Sequence, residues 1–227
     1  MAALNLNCGK SLNDNILKFS HLLEGVPPAR RYEEILKLFL TGSASKIFKS
    51  LISFNLLRFL LPGADLSRNK QKDIDKQIKF INLSLENSDD RVRNDLPLTP
   101  AFLFSVLLWP VLIQKIGEVQ SNKSKIPSMR SAANSILKKQ YTHCFIPNRT
   151  ENMIKEIWEM QIRLLKTDSS KALNLLTNSR FRAGYDFLLL REKSGVNLNG
   201  AGKWWTDAQQ DQGAQRKQFS KQRPKNS

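Results

Sequence analysis

Apolar residues recur at intervals of three and four along nearly the whole chain, and nowhere do they show the sustained in-out alternation that a half-buried strand requires. The spacing predicts an all-α fold. Ile16, Leu17, Phe19, Leu22 and Leu23 lie on one helix, with Asn13 and Asp14 as capping side chains and Gly25 at its end. Pro27-Pro28 opens a second, whose stripe is Tyr32, Ile35, Leu36 and Phe39 and whose terminator is Gly42. A third starts at Ser43 and presents Ile47, Phe48, Leu51 and Ile52, and Pro62-Gly63 breaks the chain. A charged helix from about Lys70 to Glu86 carries Ile74, Ile78, Ile81 and Leu85, and the polar run from Asn87 to Asp95 is expected to be a loop. Thr99 as N-cap with Pro100 behind it starts the most apolar helix, which Pro110 should kink or end. Further helices are expected over about 128–140, 150–165, 170–176 and 180–191, with a short one around Trp204-Trp205. From Gln209 the composition turns to Gln, Lys, Arg, Asp and Ser, which predicts a disordered tail.

That apolar helix, Ala101 to Ile113, contains Ser105 and Pro110 and falls short of the roughly 20 residues needed to cross a bilayer, so no membrane span is expected. Cys8 and Cys144 are too few for a disulfide framework or a zinc site, and no secretory signal is seen, which makes the cytoplasm the expected compartment. Charge is the strongest functional signal. Lys and Arg number 36 against 20 Asp and Glu, a net +16, which points to a polyanionic partner. The excess is +4 over residues 1–98, +6 over 99–167 and +6 over 168–227, so the folded body itself should carry it.

Metal-dependent phosphoryl transfer needs carboxylates that converge on divalent cations. The single Asp-x-Asp, Asp73 to Asp75, falls in a helix, where residues two apart point in different directions. Asp89 and Asp90 have no glycine-rich phosphate cradle nearby, so these carboxylates, like Asp73 and Asp75, are expected on solvated faces, and His143-Cys144 has no second ligand pair. No complete catalytic or metal site is visible. Arg and Lys do recur beside aromatic residues. Arg30 and Arg31 precede Tyr32; Arg180 and Arg182 flank Phe181 near Tyr185; Lys203 precedes Trp204-Trp205; Arg216 and Lys217 lie near Phe219; and Arg91 and Arg93 form a further pair. Such groups neutralise phosphates and can stack on unpaired bases, although burial in a core is the commoner fate of each ring taken singly.

Several strings taken in order resemble the C-terminal half of bacterial poly(A) polymerase. They are Pro27-Pro28-Ala29-Arg30 with Glu33-Glu34 and Lys37; Thr99 through Phe104; Ile157-Trp158 with Gln161 and Arg163; and Phe181-Arg182-Ala183, Tyr185-Asp186, Leu190-Arg191 and Trp204-Trp205. The resemblance runs from about Ile16 to Gln209. It implies an elongated multi-helix bundle: a partial neck over 13–62 after a poorly matched 1–12, a body over 63–166, a leg-like part over 167–208 and the tail over 209–227. Family members add AMP from ATP to RNA 3′ ends on a small αβ head that holds ATP and magnesium. The strings of that head do not occur in this sequence, so the resemblance implies RNA binding without catalysis, no cofactor in this chain, and a short Lys- and Gln-rich tail in place of a long Arg-rich one. Arg30, Arg31, Lys37, Arg91, Arg93, Arg180, Arg182, Arg191, Lys203, Trp204, Arg216 and Lys217 are the expected RNA contacts. The Pro-Pro-Ala-Arg region also implies docking of a DEAD-box RNA helicase, and the absent head implies a separately encoded one as a further partner. The alternative is a stand-alone helical module that docks a helicase or another anionic partner.

Overall fold

The computed structural model describes residues 9–64, 71–118, 125–168 and 171–221, and among them every regular element is helical. In chain order the α-helices are α1 (Lys10–Phe19), α2 (Pro28–Phe39), α3 (Ala44–Ser53), α4 (Leu57–Leu60), α5 (Gln71–Arg93), α6 (Pro100–Leu107), α7 (Trp109–Glu118), α8 (Lys125–Tyr141), α9 (Asn148–Arg163), α10 (Phe181–Lys193) and α11 (Ala201–Lys221). Short 3-10 segments at Ser20–Gly25 and Ala172–Thr177 replace what periodicity alone places as helix.

The fold is organised around α6. Every residue from Ala101 to Leu107 is buried, and the helix packs on α9, α5 and α7. Thr99 starts it as expected: its hydroxyl accepts from the Phe102 N–H at 3.3 Å, with Pro100 in the first turn. Pro110 can neither donate to the preceding turn nor leave it unobstructed, and the chain bends 46° between α6 and α7 at Leu108. No single helix among the described residues is long and apolar enough to cross a membrane; only the bent α6–α7 pair passes that test, and Ala101 to Pro110 lie inside the protein.

The larger core runs from Ile35 in α2 to Leu190 in α10. Phe187 sits at its centre, fully buried, with the rings of Phe80, Phe102 and Trp109 at 5.2, 6.1 and 5.0 Å. Fully burying one such large side chain stabilises by about 1.5–3 kcal/mol, and α6 contributes Leu103, Phe104 and Leu107 at once. Trp158 of α9 donates its indole N–H to the Ser105 carbonyl at 3.0 Å, which fixes α9 on α6. A smaller core joins the end of α9 to α10 and α11 through Met160, Leu164, Phe181, Tyr185, Leu188 and Trp205. Gly184 is required there: a Cβ would collide with the Met160 side chain, so α9 and α10 approach more closely than any other residue permits.

Two further elements differ from the sequence expectation. The polar run from Asn87 is not a loop: α5 continues to Arg93, with Ser88 and Asp89 buried. Asp89 is not on a solvated face but accepts the Ala44 and Ser45 N–H groups at 2.6 and 3.0 Å, capping α3 from 45 residues away. The helix at Trp204 is not short, because α11 carries backbone helix to Lys221, past the Gln209 at which composition places the tail. Residues 222–227 of that tail lie outside the described residues.

Candidate nucleic-acid interface

Three of the arginines expected to meet RNA come together from distant parts of the chain. Helix α5 ends in a turn in which the Leu96 N–H reaches the Arg91 carbonyl at 2.8 Å and the Asp95 N–H the Val92 carbonyl at 3.1 Å, with Asp95 in the left-handed region at φ 54°. That turn folds Pro97 back beside Arg91, whose Nε and Nη2 donate to the Pro97 carbonyl at 3.2 and 2.9 Å. Arg91 and Asn87 thereby form one wall of a cleft of about 260 Å³. The opposite wall is the start of α10, with Arg180, Arg182, Ala183 and Asp186. Between them lies an apolar floor: Leu98 and Phe102 near the start of α6, Met153 and Ile157 from α9.

The rim is cationic and loosely held. Arg180 donates to Glu156 at 2.6 Å and Arg182 to Asp186 at 3.1 Å, while the recorded bonds of Arg91 go to a neutral carbonyl. In each pair one partner is well exposed and the other half-buried: Arg182 is 73% exposed against 26% for Asp186, and Glu156 53% against 32% for Arg180. Exposed pairs of this kind contribute only about 0–1 kcal/mol, so an incoming phosphate can take over either guanidinium at little cost.

The other expected contacts are placed differently. Arg30 and Lys37 stand exposed on α2, and Glu33 and Glu34 pair with them, so this face is balanced in charge. Arg31 is not on the surface. It is 5% exposed and donates to the Val26, Phe59 and Glu24 carbonyls at 2.8, 3.1 and 2.9 Å, which makes it a brace between α2, α4 and the 3-10 segment before α2. Arg93 is exposed and pairs with Asp90. Arg191 also turns inward: its guanidinium lies 4.9 Å from the Trp109 ring centroid and donates to Gln161 at 3.2 Å, and burial pushes its pKa down to about 10. Lys203 is exposed at the start of α11, whereas Trp204 is half-buried edge-on against Trp205 at 4.7 Å. Phe181, Tyr185 and Trp205 are core residues, and the Trp205 indole donates to the Leu164 carbonyl at 2.8 Å. Arg216 and Lys217 fall on α11 beyond the residues whose side chains are described.

The described residues do not fit an ATP–magnesium site, and no three of their metal-binding side chains converge. Asp89 is committed to α3, Asp90 to Arg93, and Asp75 is exposed on α5; the side chain of Asp73 lies outside the described residues. Cys144 is fully buried, and burial pushes its thiol up to about 12, against a smaller downward pull from Arg31, which leaves it neither nucleophile nor ligand. Chemically, the arrangement can hold a polyanion against helices.

Among the described residues the chain is an all-helical scaffold with arginines around a half-apolar cleft, and with a net charge of +16 it falls in the class of helical regions suited to a polyanion. Residues 9–67 match the family described as "Probable RNA and SrmB- binding site of polymerase A", and residues 121–227 match "Polymerase A arginine-rich C-terminus". The chain is 29% identical over 213 residues to poly(A) polymerase I of Salmonella typhimurium, covering 92% of this chain and 45% of that protein. It is 31% identical to the poly(A) polymerase I of Escherichia coli O157:H7 with the same coverage, and 30% identical to that of Haemophilus influenzae over 96% of this chain and 49% of the relative. The chain therefore belongs to the poly(A) polymerase family and corresponds to its C-terminal part. It spans about half the length of the relatives it matches.

Proposed function

We propose that this chain grips the 3′ ends of single-stranded RNA so that AMP from ATP can be added to them by a nucleotidyltransferase head, encoded with it or separately, in the bacterial cytoplasm. The neck, body and leg divisions expected from the resemblance would then be parts of one RNA-holding scaffold. The observation that carries this reading is the meeting of Arg91 with Arg180 and Arg182 across one cleft, on a chain whose net charge is +16. Guanidinium groups suit phosphate because their fixed fork of donors matches its oxygens.

One feature favours a second role for residues 9–67. The exposed face of α2 pairs its cations with Glu33 and Glu34, and the chain just before it leaves Leu12, Leu17 and Phe19 of α1 and Leu22 of the following 3-10 segment exposed. A charge-balanced face beside apolar side chains suits a protein such as a DEAD-box RNA helicase better than it suits a phosphate chain.

One set of variants separates the two roles. Arg91→Ala, Arg180→Ala and Arg182→Ala should each weaken single-stranded RNA binding roughly fivefold, or about 1 kcal/mol, and by the same factor for every sequence in a filter-binding titration. Glu33→Lys with Glu34→Lys should leave RNA binding intact and abolish helicase capture. RNA affinity indifferent to all three arginine changes would overturn the first reading. Helicase capture indifferent to the glutamate changes would overturn the second.

A further inference from the structure

We infer that the cleft between α5, α6, α9 and α10 is a slot for one unstacked nucleotide of an RNA strand, with the base on the apolar floor and a flanking phosphate held by the arginine rim. The inference rests on the RNA-binding reading above and narrows it from a charged surface to a defined place.

A surface that only attracts phosphates needs no cavity. Here the arginines stand around one whose floor is Phe102, 8% exposed, and Ile157, 1% exposed, with Met153 beside them. Apolar floor and cationic rim match the two halves of a nucleotide, an uncharged ring and an anionic phosphate. The size fits as well. At about 260 Å³ the cleft lies just under the usual ~300–1,000 Å³ of small-molecule sites, which is on the scale of a single nucleotide.

The rim also supplies hydrogen-bonding groups suited to a base edge. Asp186 offers a carboxylate that only accepts, and Asn87 an amide that both donates and accepts. When phosphate draws Arg182 away, Asp186 loses its recorded partner and becomes available to a base N–H. A base paired in a duplex cannot enter such a slot, so the geometry selects single strands without reading much sequence.

The test uses the full chain and three forms of one oligoribonucleotide: intact, abasic at successive positions, and annealed to its complement. Two variants narrow the cleft without removing charge: Ala183→Phe from within, and Ser179→Leu from the exposed rim, where folding is not at risk. The wild-type chain should bind the intact strand about tenfold more tightly than the most damaging abasic form, and the duplex no better than that form. Both variants should bind intact and abasic strands equally, with the salt dependence of the wild type retained. Equal affinity of the wild type for intact and abasic strands, with normal salt dependence, would overturn the slot and leave phosphate gripping standing. Failure of the wild type to bind any strand at low salt would overturn the RNA-binding reading itself, and the slot with it.

Discussion

Arg31 and Arg182 carry the same charge and do opposite work, and helical phase is what separates them. The buried residues of α2 are Arg31, Ile35 and Phe39, each one turn after the last, so the apolar stripe projected back by four residues lands on Arg31. Arg30, one position earlier, points outward to Glu34. The dipeptide Arg30-Arg31 hides this difference until phase is considered. Arg31→Ala leaves three carbonyls without their donor and should cost about 3–5 kcal/mol of unfolding free energy in a denaturant titration. Arg31→Lys should restore little of it, because an ammonium cannot serve three diverging acceptors from one position. Wild-type stability in Arg31→Ala, combined with weakened RNA binding, would return Arg31 to the surface role that its neighbours in sequence suggest.

Among the elements, most helices were legible from periodicity, and the exceptions have identifiable causes. Sequence alone ends the helix from Lys70 at Glu86 because the residues that follow are polar, and no glycine marks its true end. The actual end uses Asp95 in the left-handed conformation, a role that glycine usually fills, as Gly195 does after α10. Asp89 looks solvated in sequence because its partners, the first N–H groups of α3, are 45 residues distant and invisible in a local window. The contact between α8 and α9 predicts a pH effect. Arg130 donates to Glu159 through Nε and through Nη2, the latter at 2.9 Å, and this hydrogen bond holds the Glu159 carboxyl below its ordinary range. A carboxyl whose pKa is lower folded than unfolded stabilises above its unfolded pKa, and the contribution disappears as pH falls through the folded value. Stability of the wild type should therefore drop on acidification from about pH 5 downward, and Glu159→Gln should flatten that limb relative to wild type. Identical acid limbs would show that the pair contributes nothing.

At the scale of the molecule, the all-α class, the buried α6 and the cationic character could all be read from the chain. The cleft could not. Its walls come from residues near 87–102, 153–157 and 179–186, and no local pattern announces that α9 will lie beneath all of them. The sequence expectation held the arginines that rim this cleft but not Phe102, Met153 or Ile157 as its floor, since each looks like any other core residue of an amphipathic helix. Only the packing of α9 onto α6 and α10, fixed by Trp158 and permitted by Gly184, brings two separate basic segments to one cleft. The most direct measurement is the equilibrium affinity of the purified chain for a single-stranded oligoribonucleotide over a series of potassium chloride concentrations. Log affinity should fall linearly with log salt, at a slope of about −0.7 for each phosphate neutralised and therefore at least about −2 if the three cleft arginines are engaged. A line with no slope, or no binding at the lowest salt, would contradict a scaffold whose positive charge exists to hold RNA.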